Sequence, residues 1–254
     1  MILEGSGLML NVLERGTPSD TPAFVFLHHF GGSGRTWEPV VELLEGTFHC
    51  VAIDLRGFGA SSAADSYRVS EMADDVLAVI QQLRLRRFVL IGHTMGGKVA
   101  QALASRQPSG LEGLVLVASS PPTPEPMEDA ERERLLNAYG KRDAAIQTNQ
   151  KIAKLPINTA DLETLIEDNL RCAETAWRAW LEVGSKEDIS NLVSAIACPT
   201  LIVAGGADEG LPALTLEREI KTRILGSTLE IIPGSGHLLP LEAAVALAGL
   251  IRAW

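Results

Sequence analysis

A mostly parallel, doubly wound α/β sheet with an antiparallel N-terminal hairpin and a small helical cap is the architecture this sequence predicts. Three observations point to it. Short, continuously apolar runs recur along the chain, longer segments of helical period lie between them, and residues 121–195 break the alternation. An uninterrupted apolar run suits a strand buried on both faces, as in a parallel sheet covered by helices. Strand–helix alternation marks that layered class.

The elements follow in order. Met1–Glu4 and Leu8–Glu14 read as a hairpin of antiparallel edge strands, and Phe24–Leu27 and Cys50–Ile53 as buried strands. Val69–Leu83 is predicted helical: Met72, Val76, Val79, Ile80 and Leu83 form one stripe, with Glu71, Asp74 and Asp75 near its N-terminus. Phe88–Ile91 is the next strand, Gly97–Gln107 a helix of small and apolar residues, and Leu114–Val117 another strand. The charges of Arg84-Leu85-Arg86-Arg87 fall between helix and strand and are expected in solvent. Pro121-Pro122-Thr123-Pro124-Glu125-Pro126 marks a boundary. Beyond it the chain is helical and charged, carries Trp177 and Trp180 near Leu170 and Leu181, and shows no strand before Thr200. This divides the chain into a core, 1–120 and 196–254, and a helical cap insertion, 121–195. Leu201–Ala204 and Leu229–Ile232 complete the strands, and Leu238–Trp254 closes the chain as a helix.

A chain of 254 residues suits one large domain with a small insertion. Its net charge of −10, from 22 basic and 32 acidic side chains, argues against nucleic acid and anionic membrane as partners. Cys50, Cys172 and Cys198 are too few and scattered for a disulfide framework or a zinc site, and their odd count fits a reducing compartment. The residues MILEGSGLML lack the basic start and long apolar run expected of a signal peptide, and no run approaches the ~20 apolar residues of a membrane span. The expectation is a cytoplasmic protein with no metal and no cofactor.

The chemistry-bearing motif is Gly92-His93-Thr94-Met95-Gly96. It follows a buried strand and opens a helix, the context of a nucleophile elbow, whose sharp turn presents its central residue on strained backbone. Glycines flank it because Cβ atoms there would collide with the helix and the neighbouring strand.

On these residues the chain resembles the α/β-hydrolase superfamily over nearly its whole length, particularly small bacterial esterases, C–C hydrolases and cofactor-free haloperoxidases. Leu27-His28-His29-Phe30-Gly31-Gly32-Ser33, followed by Trp37, is similar to the family's oxyanion loop. Asp54-Leu55-Arg56-Gly57-Phe58-Gly59-Ala60-Ser61 is similar to its D-x-R-G-x-G-x-S turn, and Arg56–Gly59 reads as a structural turn, not a phosphate loop. Pro199–Asp208 resembles the acid-bearing strand and Ile232–His237 the histidine loop. The resemblance implies a catalytic set of Thr94, Asp208 and His237, with the backbone N–H groups of Phe30 and Met95 as oxyanion hole. Asp208 and His237 also fall just beyond C-terminal strand ends, where open α/β sheets bind ligands. Glu209 is the alternative acid, and Asp208 as a turn or capping residue the alternative role.

Other residues leave two readings each. His29 stands where the family usually has glycine and either lines the pocket or points into a solvent-filled mouth. His93 shapes the pocket or packs. Trp177, Trp180 and Met127 line an acyl pocket or form the core of the cap. His28 is expected as a structural hydrogen bonder beneath the loop and His49 at the surface.

The family nucleophile is nearly always serine. Here it is Thr94, whose β-branch disfavours the left-handed backbone of an elbow and restricts χ1. Three readings stay open: a slowed hydroxyl nucleophile, a laboratory replacement of serine, or a site without covalent chemistry. The function predicted is hydrolysis of a small carboxylic ester, thioester or lactone through an acyl-enzyme. The alternatives are a cofactor-free haloperoxidase or perhydrolase, a C–C bond hydrolase, and a non-catalytic ligand-binding protein.

Overall fold

A computed structural model describes residues 1–5 and 7–253. The eight strands are β1 (Ile2–Gly5), β2 (Leu8–Arg15), β3 (Ala23–Leu27), β4 (Cys50–Ile53), β5 (Phe88–His93), β6 (Leu111–Val117), β7 (Thr200–Gly205) and β8 (Thr228–Ile232). They form one sheet in the order β1-β2-β4-β3-β5-β6-β7-β8. β1 and β2 pair antiparallel, β2 meets β4 antiparallel, and every pairing from β4 to β8 is parallel. This is the predicted mostly parallel sheet with its N-terminal hairpin.

The apolar runs alternate between faces, as the two-residue period of a strand requires. Val25, Leu27, Phe88 and Leu90 join a core shared with α2 (Val69–Gln82) and α3 (Met95–Ala104), reached after α1 (Glu38–Leu44). Phe24, Phe26, Val89 and Ile91 face the opposite core, closed by Trp37, by Val40 and Leu44 of α1, and by Leu247 and Ile251 near the C-terminus. Helices on both faces explain why no strand from β3 to β7 shows a polar alternation.

Between β6 and β7 the described chain is helical, with α4 (Asp129–Ala138), α5 (Arg142–Ile152), α6 (Thr159–Arg171) and α7 (Glu174–Glu182). After β7 come the short α8 (Ala213–Leu216), then α9 (Leu239–Glu242) and α10 (Ala244–Ala253). The single closing helix predicted for 238–254 is therefore two, broken at Ala243, whose φ of −143° and ψ of 39° are not helical. Trp254 lies outside the described residues. Another difference concerns His49, which is buried with its Nε2 2.6 Å from Glu14 Oε1 on the neighbouring strand, not at the surface. Among the described residues no helix is long and apolar enough to cross a membrane.

Register sets the site. Leu27 pairs with Ile53 and Gly92, His93 with Val117, Val117 with Val203, and Gly205 with Ile232. The C-terminal ends of β3, β5, β6, β7 and β8 therefore stand side by side. The loops carrying His29, Thr94, Ser120, Asp208 and His237 leave the sheet along one edge.

Candidate active site

Thr94 joins β5 to α3 with φ 45° and ψ −110°, a left-handed conformation that costs a β-branched residue about 1–3 kcal/mol. Close packing holds it there. A Cβ on Gly92 would lie 2.5 Å from the Gly96 carbonyl oxygen, and one on Gly96 2.6 Å from the His28 carbonyl oxygen. The turn is also stitched by bonds from Gly97 and Ser120 N–H to the Thr94 carbonyl, at 2.8 and 3.1 Å.

His237 and Asp208 meet directly, Nδ1 to Oδ2 at 2.7 Å, with side chains 15% and 2% exposed. The other oxygen of Asp208 accepts from the N–H groups of Gly210 and Leu211 at 2.9 and 3.1 Å. Burial alone would lower the imidazole, but the charge and hydrogen bond of Asp208 raise His237 above its ordinary 6.5. Burial likewise opposes ionisation of Asp208, and the imidazole with those two N–H donors overrides it, lowering the carboxyl below 3.8. Glu209 instead stands at the rim of the site, 80% exposed and bonded to Lys154 at 3.1 Å.

Two further histidines are held neutral. Burial, then the neighbouring His237, brings His93 down to about 3. Burial and the imidazoles of His93, His28 and His237 put His29 well below 6.5. His93 Nε2 donates to the His237 carbonyl at 2.8 Å, so it props the histidine loop from behind. His28 accepts the Leu55 N–H on Nε2 at 3.0 Å and donates from Nδ1 to the His29 carbonyl at 2.7 Å, beneath the loop.

A cavity of about 340 Å³ opens at this edge, lined by His29, Phe30, Thr94, Asp208 and His237 from the loops and by Met127, Leu135, Ile152, Leu165 and Trp180 from the helical segment. Of the five side chains expected around a pocket, His29, Met127 and Trp180 line it. His93 and Trp177 do not. His93 is fully buried behind the turn. Trp177 packs on Phe30 with ring centroids 4.4 Å apart, and its Nε1 donates to the Leu135 carbonyl at 2.9 Å. The backbone N–H groups of Phe30 and Met95 make no hydrogen bond among the described residues, which leaves both donors available.

The Thr94 hydroxyl, in contrast, makes no hydrogen bond to His237 among the described residues. Its partner is Ser120 Oγ at 3.4 Å. Other neighbours also escape sequence reasoning. Asp168 of α6 is fully buried and accepts from Ser33 Oγ at 2.6 Å and Arg35 Nε at 3.1 Å, clasping the loop that carries Phe30. Lys98 of α3 is fully buried and donates to the Thr123 carbonyl at 3.2 Å and to that of Glu187. Burial brings its ammonium down to about 8. The one local signal was Lys98 itself, a charge inside an otherwise small and apolar helix. Among the described residues no cluster of His, Cys, Asp and Glu could hold a metal ion.

Comparison with known proteins bears on family and fold. The sequence model described as Alpha/beta hydrolase family matches residues 24–250. The putative carbamate hydrolase RutD of Caulobacter sp. (strain K31) is 32% identical over 246 residues, 91% of this chain and 89% of that protein. Among solved structures, the esterase EaEST from Exiguobacterium antarcticum superposes with a TM-score of 0.89 at 21% identity, covering 99% of this chain and 97% of the other. A thermophilic esterase from Thermogutta terrifontis gives 0.81 at 25% identity, with 100% and 97% covered.

Proposed function

The chain belongs to the alpha/beta hydrolase family, and from that premise we propose that it hydrolyses a small carboxylic ester, thioester or lactone through Thr94, His237 and Asp208. The observation that carries the reading is the 2.7 Å Asp208–His237 pair at the cavity into which the strained Thr94 turn projects. Thr94 Oγ1 attacks the acyl carbonyl and His237 takes its proton, then returns it to the leaving alcohol or thiol. Asp208 keeps the imidazole proton on Nδ1 and stabilises the cation that forms. The N–H groups of Phe30 and Met95 receive the negative charge that develops on the carbonyl oxygen. Water then attacks the acyl-enzyme by the same base.

The substrate is small and carries no negative charge. A cavity of about 340 Å³ sits at the small end of ligand pockets. Glu125, Glu128, Glu131 and Glu209 line it beside Asp208, and among the described residues no Lys or Arg does. Residues 121–195 act as the cap that selects the acyl group over the core of 1–120 and 196–254, with His29 and Trp180 as contacts.

The test compares native protein with Thr94→Ser on short and medium p-nitrophenyl esters. Serine keeps the hydroxyl and removes the methyl that crowds the approach, so turnover rises about 10-fold or more. His237→Ala abolishes it in both. Turnover that survives His237→Ala refutes the mechanism, and no turnover in either parent points to ligand binding instead.

A further inference from the structure

Two groups beside the nucleophile have no part in that mechanism. Ser120 is fully buried after β6, with its Oγ 3.4 Å from Thr94 Oγ1, and it donates its own proton to a carboxylate oxygen of Glu125. A hydroxyl has one proton to give. With that proton on Glu125, Ser120 meets Thr94 as an acceptor, and the Thr94 proton points at Ser120.

Neither partner is free to drift. The Ser120 N–H donates to the Thr94 carbonyl at 3.1 Å, and its own carbonyl accepts from Gln101 Nε2 at 2.9 Å and Ser119 Oγ at 3.0 Å. The Glu125 N–H donates to the Ser185 carbonyl at 2.8 Å, in a segment stiffened by Pro121, Pro122, Pro124 and Pro126. Thr94 is less able than serine to turn away, because moving its hydroxyl moves a methyl in a buried site.

Resting on the reading of Thr94 as nucleophile, we propose that Ser120 and Glu125 are a positioning pair that parks the Thr94 hydroxyl away from His237. Acylation then begins by breaking the Thr94–Ser120 hydrogen bond, and arriving substrate releases the hydroxyl to the imidazole.

The experiment measures pre-steady-state acylation by a p-nitrophenyl ester in native protein, Ser120→Ala and Glu125→Gln. Ser120→Ala removes the acceptor, and acylation accelerates about 2- to 12-fold, the span of one net hydrogen bond, with the ester's dissociation constant from the same traces unchanged. Mere structural damage slows it. Glu125→Gln gives a smaller rise, because a neutral amide oxygen draws the Ser120 proton less strongly. In a Thr94→Ser background the unbranched hydroxyl escapes more readily, and Ser120→Ala changes the rate less than about twofold. A second readout needs no turnover: three-bond couplings of the ¹³C-labelled Thr94 methyl report its χ1, a single rotamer in the native protein that spreads over several in Ser120→Ala. The pair is refuted if those couplings stay unchanged, or if acylation is unchanged or slowed in Ser120→Ala. If neither the native protein nor the Thr94→Ser variant turns over any ester, the hydrolase reading fails, and the methyl couplings still decide the pair.

Discussion

Asp208→Asn tests the site most sharply, because its consequences are set atom by atom. Asparagine retains an oxygen for the N–H groups of Gly210 and Leu211, now bonded at 2.9 and 3.1 Å, so the loop after β7 keeps its shape. Its amide nitrogen replaces the oxygen that faces His237 Nδ1 at 2.7 Å. Two donors then oppose each other. The ring relieves this by moving its proton to Nε2, the tautomer that cannot accept from Thr94, and kcat falls about 10²- to 10⁴-fold. The pH profile moves as well. Native kcat/KM requires neutral His237 and rises with pH through a value above 6.5. Without the carboxylate only the more distant charges of Glu125 and Glu242 still oppose burial, and the rising limb shifts to lower pH. Stability falls by about 1.5–3 kcal/mol, the worth of one hydrogen bond to a charged group. The sign of its pH dependence follows from both partners. His237, raised in the folded state, contributes fully below 6.5 and loses its share as pH climbs through its folded value. Asp208, lowered, contributes fully above 3.8 and loses its share as pH falls through its folded value. The loss in Asp208→Asn is therefore largest between those two pH values. Rate profiles from acid to alkaline pH, with thermal melts alongside, measure all three effects. A limb that stays in place, or a kcat within about threefold of native, removes Asp208 from the catalytic set. Glu209→Gln, at an exposed side chain bonded to Lys154, leaves both profile and rate unchanged; loss of turnover there instead transfers the acid role to Glu209.

Gly97→Ala puts a Cβ 2.7 Å from Ser119 Cβ, where α3 meets the end of β6, and costs about 1–3 kcal/mol in chemical denaturation. Trp177→Phe keeps the ring against Phe30 but deletes the bond to the Leu135 carbonyl, lowering stability by about 1 kcal/mol with KM within twofold. Trp180→Ala, at a side chain that does line the cavity, raises KM severalfold in the same ester assay. Lys98, lowered to about 8 when folded against an ordinary 10.5, binds fewer protons folded than unfolded between those values, so its contribution to stability rises with pH there. Melts of native protein and Lys98→Met from about pH 8 to 10 show that gain in the native protein alone; parallel curves refute it.

Features that depend on near neighbours in the chain are legible before the chain folds. Apolar runs such as Phe88–Ile91 declare buried strands, because covering both faces leaves no place for polar alternation. Gly92 and Gly96 declare the turn at Thr94, because only a missing Cβ permits so close an approach. Strand ends then carry Asp208 and His237 to the edge where Thr94 emerges. Tertiary structure alone decided the rest. Trp177 and Trp180 share one helix and differ by three residues, yet one packs on Phe30 and the other lines the cavity, a choice made by the loop opposite. His49 looks like any polar residue before a strand until Glu14 arrives from the adjacent strand to bury it. Ser120, Glu125 and Asp168 carry no local mark, because their partners lie on other elements brought together by packing. The Thr94–Ser120 contact is of the same kind: two hydroxyl oxygens 26 residues apart in the chain stand 3.4 Å apart in space.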